Sequence, residues 1–321
     1  MSPVDLLRFT LRRLLGLVLI LTAISFAVFA LLYLAPGSTE RALLGTRPAT
    51  PETIAALRHE YHLDRPFLDQ YGIWLGNAVR LDLGRSAETA VPVAQAIRQR
   101  FGLTLFLGLY SFVLIVVAGL ALGAIAAFRR RTTIDRGIVA ASTVGVSVPA
   151  FASGVFLLYL FAVAVPILPA FGAGSGFGSR LSHLTLPAVA LALTATALMI
   201  RITRAAVATA LEQDYILFAR ARGLSRRRIL FGYAFRNALI PVITASGILL
   251  TVVLTGAVLV EEVFALPGLG SMLVDAVNAK DIPVVQGITL LFAALIVLIN
   301  FVVDVLSVAV DPRITLKARR A

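Results

Sequence analysis

The 321-residue chain contains no cysteine, which excludes disulfides and thiolate metal sites. Its only histidines, His59, His62 and His183, form no ligand-spaced cluster. Charge is scarce: 14% of the residues are charged, against about 25% in an average soluble domain. Lysine is nearly missing, with Lys280 and Lys317 alone among many arginines. No GxxxxGK[ST], HExxH or GxSxG pattern occurs. No catalytic, cofactor-binding or metal-binding residue is therefore expected, and a nucleotide-driven function would need its motor on another chain. What the chain does have is apolar length: 59% of it is hydrophobic and its mean hydropathy is +0.92, so most of it is expected inside a lipid bilayer. The net charge of +12 then reads as basic cytoplasmic loops facing anionic lipid, not as nucleic-acid binding.

A spanning helix needs roughly 20 apolar residues. Six segments qualify, at 14–34, 103–128, 138–165, 184–200, 239–260 and 284–308. The first follows Arg8, Arg12 and Arg13 and is too long for a cleaved signal, so it is expected to stay as an anchor that ends at Pro36-Gly37. The fourth, the shortest, is expected to run on into 203–206. With the N-terminus inside, 19 of the 29 basic residues fall on the cytoplasmic side, and the two short outer loops carry one each, Arg180 and Lys280. Both termini are expected in the cytoplasm. The chain divides into a first span (1–35), an extracytoplasmic helical cap (36–100) and a five-span core (101–321).

In the cap, Thr50-Pro51-Glu52 predicts a helix start: a hydroxyl cap, proline in the first turn and an early acid. A second short helix is expected to place Tyr71, Trp74 and Leu75 on one side, near the membrane interface. This element is either a cover or a docking surface. The outer loop 166–183, with Gly172, Gly174, Gly176 and Gly178, reads as a flexible connection, and 271–277 as a short surface helix. Polar residues inside spans face a partner or a cavity because lipid cannot solvate them. Ser142, Ser147, Pro149 and Ser153 on the third span, Thr251 and Thr255 on the fifth, and Glu261-Glu262 at its outer end are candidates for a lined pathway; helix packing is the alternative. Pro149 is expected to kink its helix. Asp304 is the clearest charge at membrane depth.

The long basic stretch 201–241 carries eight arginines between two apolar runs. Its order, Ala219-Arg220-Ala221-Arg222-Gly223-Leu224-Ser225 and then Arg236-Asn237-Ala238-Leu239-Ile240-Pro241, carries a resemblance. So do Leu34-Ala35-Pro36-Gly37, Leu81-Asp82-Leu83-Gly84-Arg85-Ser86, Ser147-Val148-Pro149, His183-Leu184-Thr185-Leu186-Pro187-Ala188, Pro267-Gly268-Leu269-Gly270, Asp281-Ile282-Pro283 and Asp311-Pro312-Arg313. In that order, nearly end to end, the chain resembles the permease subunits of ABC importers for dipeptides and oligopeptides, a group that includes nickel and glutathione permeases. It departs at Pro36-Gly37-Ser38-Thr39, where the family usually has aspartate and proline after the glycine. Gly102 stands where a proline is common, and Leu217-Phe218-Ala219 replaces an acidic-Ala-Ala start.

The resemblance implies an all-α type I importer permease with six transmembrane helices. It implies a homologous second permease, two ABC ATPases that hold the ATP and magnesium, an extracytoplasmic solute-binding protein and a short peptide as cargo. It makes 207–237 a coupling loop. ATPase docking is then expected at Asp214, Tyr215, Ala219, Ala221, Arg222, Gly223, Leu224, Ser225, Arg226 and Arg227. Small residues would let a short helix lie close to a groove in the ATPase, Gly223 would end that helix in the left-handed conformation, and Ser225 would start the next. The rivals are an ion-coupled secondary transporter that titrates Asp304 and Glu261 or Glu262, and a non-transporting membrane scaffold.

Overall fold

A computed structural model describes residues 3–34, 44 and 50–310. The expected stop at Pro36-Gly37, the Asp311-Pro312-Arg313 motif and the basic C-terminal residues lie outside the described residues. No strand forms among the described residues; one isolated antiparallel bridge joins Arg85 and Pro92. The helices are α1 (Pro3–Leu34), α2 (Pro51–Glu60), α3 (Phe67–Val79), α4 (Val93–Phe128), α5 (Thr133–Ser147), α6 (Ala150–Leu158), α7 (Gly176–Leu211), α8 (Asp214–Ala221), α9 (Arg226–Ile229), α10 (Phe235–Val263), α11 (Leu269–Asn278) and α12 (Ile282–Val310). Single π-helical turns follow α6 at Tyr159–Ala164 and α9 at Leu230–Ala234.

Among the described residues, five helices are long and apolar enough to cross a membrane: Thr10–Tyr33, Val93–Phe128, Gly176–Leu211, Arg227–Val263 and Ile282–Val310. The third expected span, 138–165, is not one straight helix. It consists of Thr133–Ser147 and Ala150–Ala164, bent by 100° at Val148-Pro149. Pro149 cannot donate to the ladder, and the extended Val148 before it leaves its own carbonyl in need of a donor from outside the two helices. Thr194 of α7 supplies one, its hydroxyl donating to the Val148 carbonyl at 2.8 Å. The loop expected at 166–183 is also shorter than read, because α7 already starts at Gly176 and places His183 in its second turn. The fourth span thus continues well beyond its apolar stretch at both ends.

The chain divides into two compact units. One holds Leu105–Leu266 and the end of α12 from Ile299; the other holds α1 to Thr104 and Pro267–Leu298. In the first unit α7 is the central helix and packs on α10, α5 and α6. Backbones approach closely at Gly119 and Gly123, four residues apart on α4. A Cβ at Gly123 would lie 2.6 Å from the Thr203 Cβ and 2.9 Å from the Ile200 carbonyl oxygen. Only glycine fits there, the small-xxx-small logic by which membrane helices gain dispersion contacts where the hydrophobic effect is weak.

In the second unit the Thr50 cap forms as read, reinforced by a capping box with Thr53. The aromatic side of α3 packs on α1: Tyr71 lies 5.3 Å from Phe26, Trp74 lies 5.5 Å from Phe29, and the Tyr71 hydroxyl meets Ser25 Oγ at 2.8 Å. A core of Val93, Ile97, Leu269, Met272 and Ile288 joins α4, α11 and α12 within this unit.

Candidate functional site

The stretch 211–235 folds as two helical pieces around a tight turn. α7 stops at Leu211, and α8 begins at Asp214 after the extended Gln213. Asp214 in the first turn and Arg220 in the last oppose the helix dipole. The end of α8 is closed by two backbone bonds. Gly223 N–H donates to the Arg220 carbonyl at 2.9 Å, and Leu224 N–H reaches back to the Ala219 carbonyl at 3.2 Å. This Schellman arrangement requires a left-handed residue, and Gly223 supplies it with φ 73°. The Ser225 hydroxyl accepts from Arg228 N–H at 3.4 Å and opens α9.

α8 has two unlike faces. Ile216 and Ala219 are buried against Ile229, with Tyr215, Leu211 and Leu224 packed around them. Burial pushes the Tyr215 phenol above its ordinary value, and its ring stacks on Tyr233 at 6.5 Å. The opposite face, Asp214, Leu217, Phe218 and Ala221, follows the i, i+3, i+4, i+7 spacing and is exposed. Leu217 is 67% and Phe218 68% accessible, and Phe231 in the π turn is 68% accessible. Ala219 is therefore held inside this chain. Of the residues expected to dock, Asp214, Ala221, Arg222, Gly223, Ser225 and Arg227 are exposed, and Tyr215 and Leu224 are half-buried. Arg226 takes part in α9. Leu217 and Phe218 are not among the docking residues expected from the sequence, although their spacing from Asp214 and Ala221 places all four on one helix face.

Two ion pairs connect the neighbouring 129–136 turn to this region. Asp135, buried at the start of α5, accepts Arg204 Nε at 2.6 Å and a second guanidinium nitrogen at 2.9 Å, and also the Arg131 N–H at 2.9 Å. Arg130 pairs with Glu212 at the end of α7. No periodicity signals either contact, since Asp135 and Arg204 lie far apart in sequence.

The pathway candidates separate by burial. Ser142, Ser153 and Glu261 are buried within the chain, Thr251 is half-buried, and Ser147, Pro149, Thr255 and Glu262 are exposed. Four of the hydroxyls donate to their own helix: Ser142 to Ile138, Ser147 to Thr143, Thr251 to Gly247 and Thr255 to Thr251. At the Glu261-Glu262 corner, Leu266 N–H bonds the Glu261 carbonyl at 2.8 Å and Ala265 N–H the Glu262 carbonyl at 3.1 Å. Ala265 there adopts φ 48°. Asp304 is half-buried on α12. Among the described residues no group of three or more His, Cys, Asp or Glu could hold a metal ion.

Long apolar helices, a broken third span and a short two-faced helix between two spans define an all-α, multi-pass membrane protein. A chain of the MetNI methionine ABC transporter, solved in inward-facing conformations, shares this fold with a TM-score of 0.52. It is 20% identical and matches 68% of this chain and 95% of its own. The chain belongs to the family of binding-protein-dependent transport system inner membrane components, which it matches over residues 119–316. Residues 6–108 match the N-terminal part described for the same membrane component. A Brucella abortus protein named for a peptide transport system permease is 38% identical over 95% of this chain and 98% of its own length. The glutathione transport system permease protein GsiC of Escherichia coli K12 is 39% identical over 97% of this chain and 100% of its own.

Proposed function

We propose that this chain is the permease subunit of an ATP-driven importer for short peptides. It sits in a bacterial inner membrane with both termini in the cytoplasm and, with a homologous second permease, forms the translocation pathway. An extracytoplasmic binding protein delivers the solute. Two ABC ATPases hold the ATP and magnesium and grip residues 207–237, so that their closure moves the spans on either side. Differential contacts of this loop in the two states transmit the work.

The exposed face of α8 carries this reading. A loop that served only to orient the chain would present charge here, whereas Leu217 and Phe218 are turned outward on a helix whose other side is already packed. Removing such a side chain from water is worth roughly 1.5–3 kcal/mol. The arginines around it form a polar rim.

Leu217→Ser with Phe218→Asp tests it. Both sites are exposed, so insertion and folding should persist while ATPase copurification and ATP-dependent dipeptide uptake are lost. Full uptake by a fully assembled variant overturns the docking role. Uptake without ATP would favour the ion-coupled transporter, and unchanged uptake after deletion of the chain would favour the scaffold. Glutathione is a second cargo to assay, because a glutathione permease is 39% identical over almost the full length; nickel complexes are a third.

A further inference from the structure

The second unit encloses a cavity of about 310 Å³ to which no role has been given. That volume lies at the lower end of the range of small-molecule sites, about 300–1,000 Å³. One wall is apolar, from Phe29 of α1, Ile73 and Trp74 of α3, and Leu83. Asp82 and Arg85, from the turn between α3 and α4, line the same space. Among the described residues these charges are joined in no ion pair. Asp82 accepts, among the described residues, only Gly84 N–H, at 3.2 Å, and Arg85 donates only to the Ala90 carbonyl, at 3.3 Å. A carboxylate and a guanidinium with most of their bonding capacity open thus share one cavity with an aromatic wall.

The turn that carries both charges is fixed from behind. Asp281, buried at the start of α12, accepts the Ser86 hydroxyl at 2.5 Å, Ala87 N–H at 3.1 Å and Glu88 N–H at 3.3 Å. The floor is fixed too: the Gln70 amide donates to the Arg65 carbonyl at 2.8 Å and the Gln286 amide to the Val28 carbonyl at 3.2 Å. His62, which lines the cavity, and Leu81 and Ala90, in the segment that carries Asp82 and Arg85, are non-glycine residues in the left-handed region, at φ 52°, 64° and 60°. For a branched residue such as leucine this is uncommon, and such outliers gather where a site is held in one shape. Preorganised charges supported by a second layer of bonds are what a binding site requires.

We infer that this cavity binds a small zwitterion with an apolar side chain, of the class of a free dipeptide, with Asp82 taking the ammonium, Arg85 the carboxylate and the Trp74 wall the side chain. A guanidinium holds a carboxylate bidentately, and charge-assisted bonds are the strong ones. That the zwitterion is also the transported cargo rests on the peptide-importer reading above. A zwitterionic lipid headgroup presents the same pair of charges, so the test has to separate the two sources.

Trp74 is the only tryptophan of the chain, so its emission reports this cavity without background from elsewhere in it. The full-length chain in vesicles of phosphatidylglycerol, whose headgroup carries no ammonium, is titrated with alanyl-leucine, its N-acetyl form and its C-terminal amide. A saturable change with the free dipeptide is expected, weakened about tenfold or more when either charge is blocked and equally in Asp82→Asn or Arg85→Gln. Both variants alter exposed side chains, and circular dichroism checks that they fold. The inference is overturned by no saturable change, by equal affinity for the blocked peptides, or by variants that bind like the parent. It is also overturned if the emission responds only when phosphatidylethanolamine is added to the vesicles, which would assign the cavity to a headgroup. Binding is read without ATPases. Its absence beside normal uptake removes only this site, whereas binding without ATP-driven uptake removes only the importer reading.

Discussion

Cutting the Asp135–Arg204 pair at one end should destabilise the chain far more than removing it whole. The Asp135 side chain is 5% exposed and that of Arg204 30%, and three donors converge on the carboxylate. Asp135→Ala leaves a largely enclosed guanidinium and the Arg131 N–H without their acceptor. Breaking a buried pair in this way costs about 3–5 kcal/mol, and the residual exposure of Arg204 places the value near the lower end, about 3 kcal/mol. Arg130 and Glu212 provide the internal control, with side chains 44% and 62% exposed. Arg130→Ala should cost at most about 1 kcal/mol. The double change Asp135→Leu with Arg204→Met replaces the pair by apolar side chains and should be close to neutral. The assay heats the purified full-length chain in detergent and follows the fraction that remains monodisperse on size exclusion. At roughly 2–4 °C per kcal/mol, Asp135→Ala should fall by roughly 6–12 °C and Arg130→Ala by less than about 4 °C. If the two fall equally, or if the double variant is as unstable as Asp135→Ala, the energetic reading of this pair is wrong.

Other consequences can be measured in the same heating assay. Gly123→Ala should destabilise by about 1–3 kcal/mol, because its new methyl group meets a backbone carbonyl that cannot move aside. Gly137→Ala on α5 meets nothing within 4 Å and should instead stabilise by about 0.5–1 kcal/mol; a loss there would refute the open space around it. Thr194→Val strips the Val148 carbonyl of its donor and should cost about 1–2 kcal/mol, with Thr194→Ser retaining most of the stability. Ala265→Gly relieves a left-handed alanine and should raise the midpoint by no more than about 1 kcal/mol equivalent; a fall would mean that the turn is unstrained.

Where a feature depends on local chemistry, the residues announced it. The Thr50 cap, the left-handed Gly223, the helix opened by Ser225 and the break at Pro149 each follow from one side chain acting on its own backbone. Apolar length located the spans, but it stops where polarity begins, not where the helix ends. α7 therefore extends well past 184–200 at both ends, taking in Gly176 and Gly178, whereas Gly172 and Gly174 stay in the loop. Which side of α8 points outward could not be read from small residues alone. Ala219 suits a close approach equally well to an ATPase or to Ile229, and the contact with Ile229 forms through the return of the chain after Gly223. The contact of Gly123 with Thr203, the Asp135–Arg204 pair and the Ser86–Asp281 bond all join distant parts of the chain, and no spacing rule reaches that far.

The π turn at Leu230–Ala234 affects how the basic stretch and the span after it are interpreted together. A π turn carries one residue more than the α-helical ladder would. One residue corresponds to about 100° of rotation about the helix axis. A helical wheel drawn without interruption from Arg226 to Val263 therefore assigns the wrong azimuth to one of its two halves. Mutational tolerance scanned along this segment should show two periodic patterns, each regular by itself, with a phase jump between Ile229 and Phe235. Single-residue deletions should be tolerated better inside 230–234 than on either side, because removing the surplus residue restores an ordinary α-helical register.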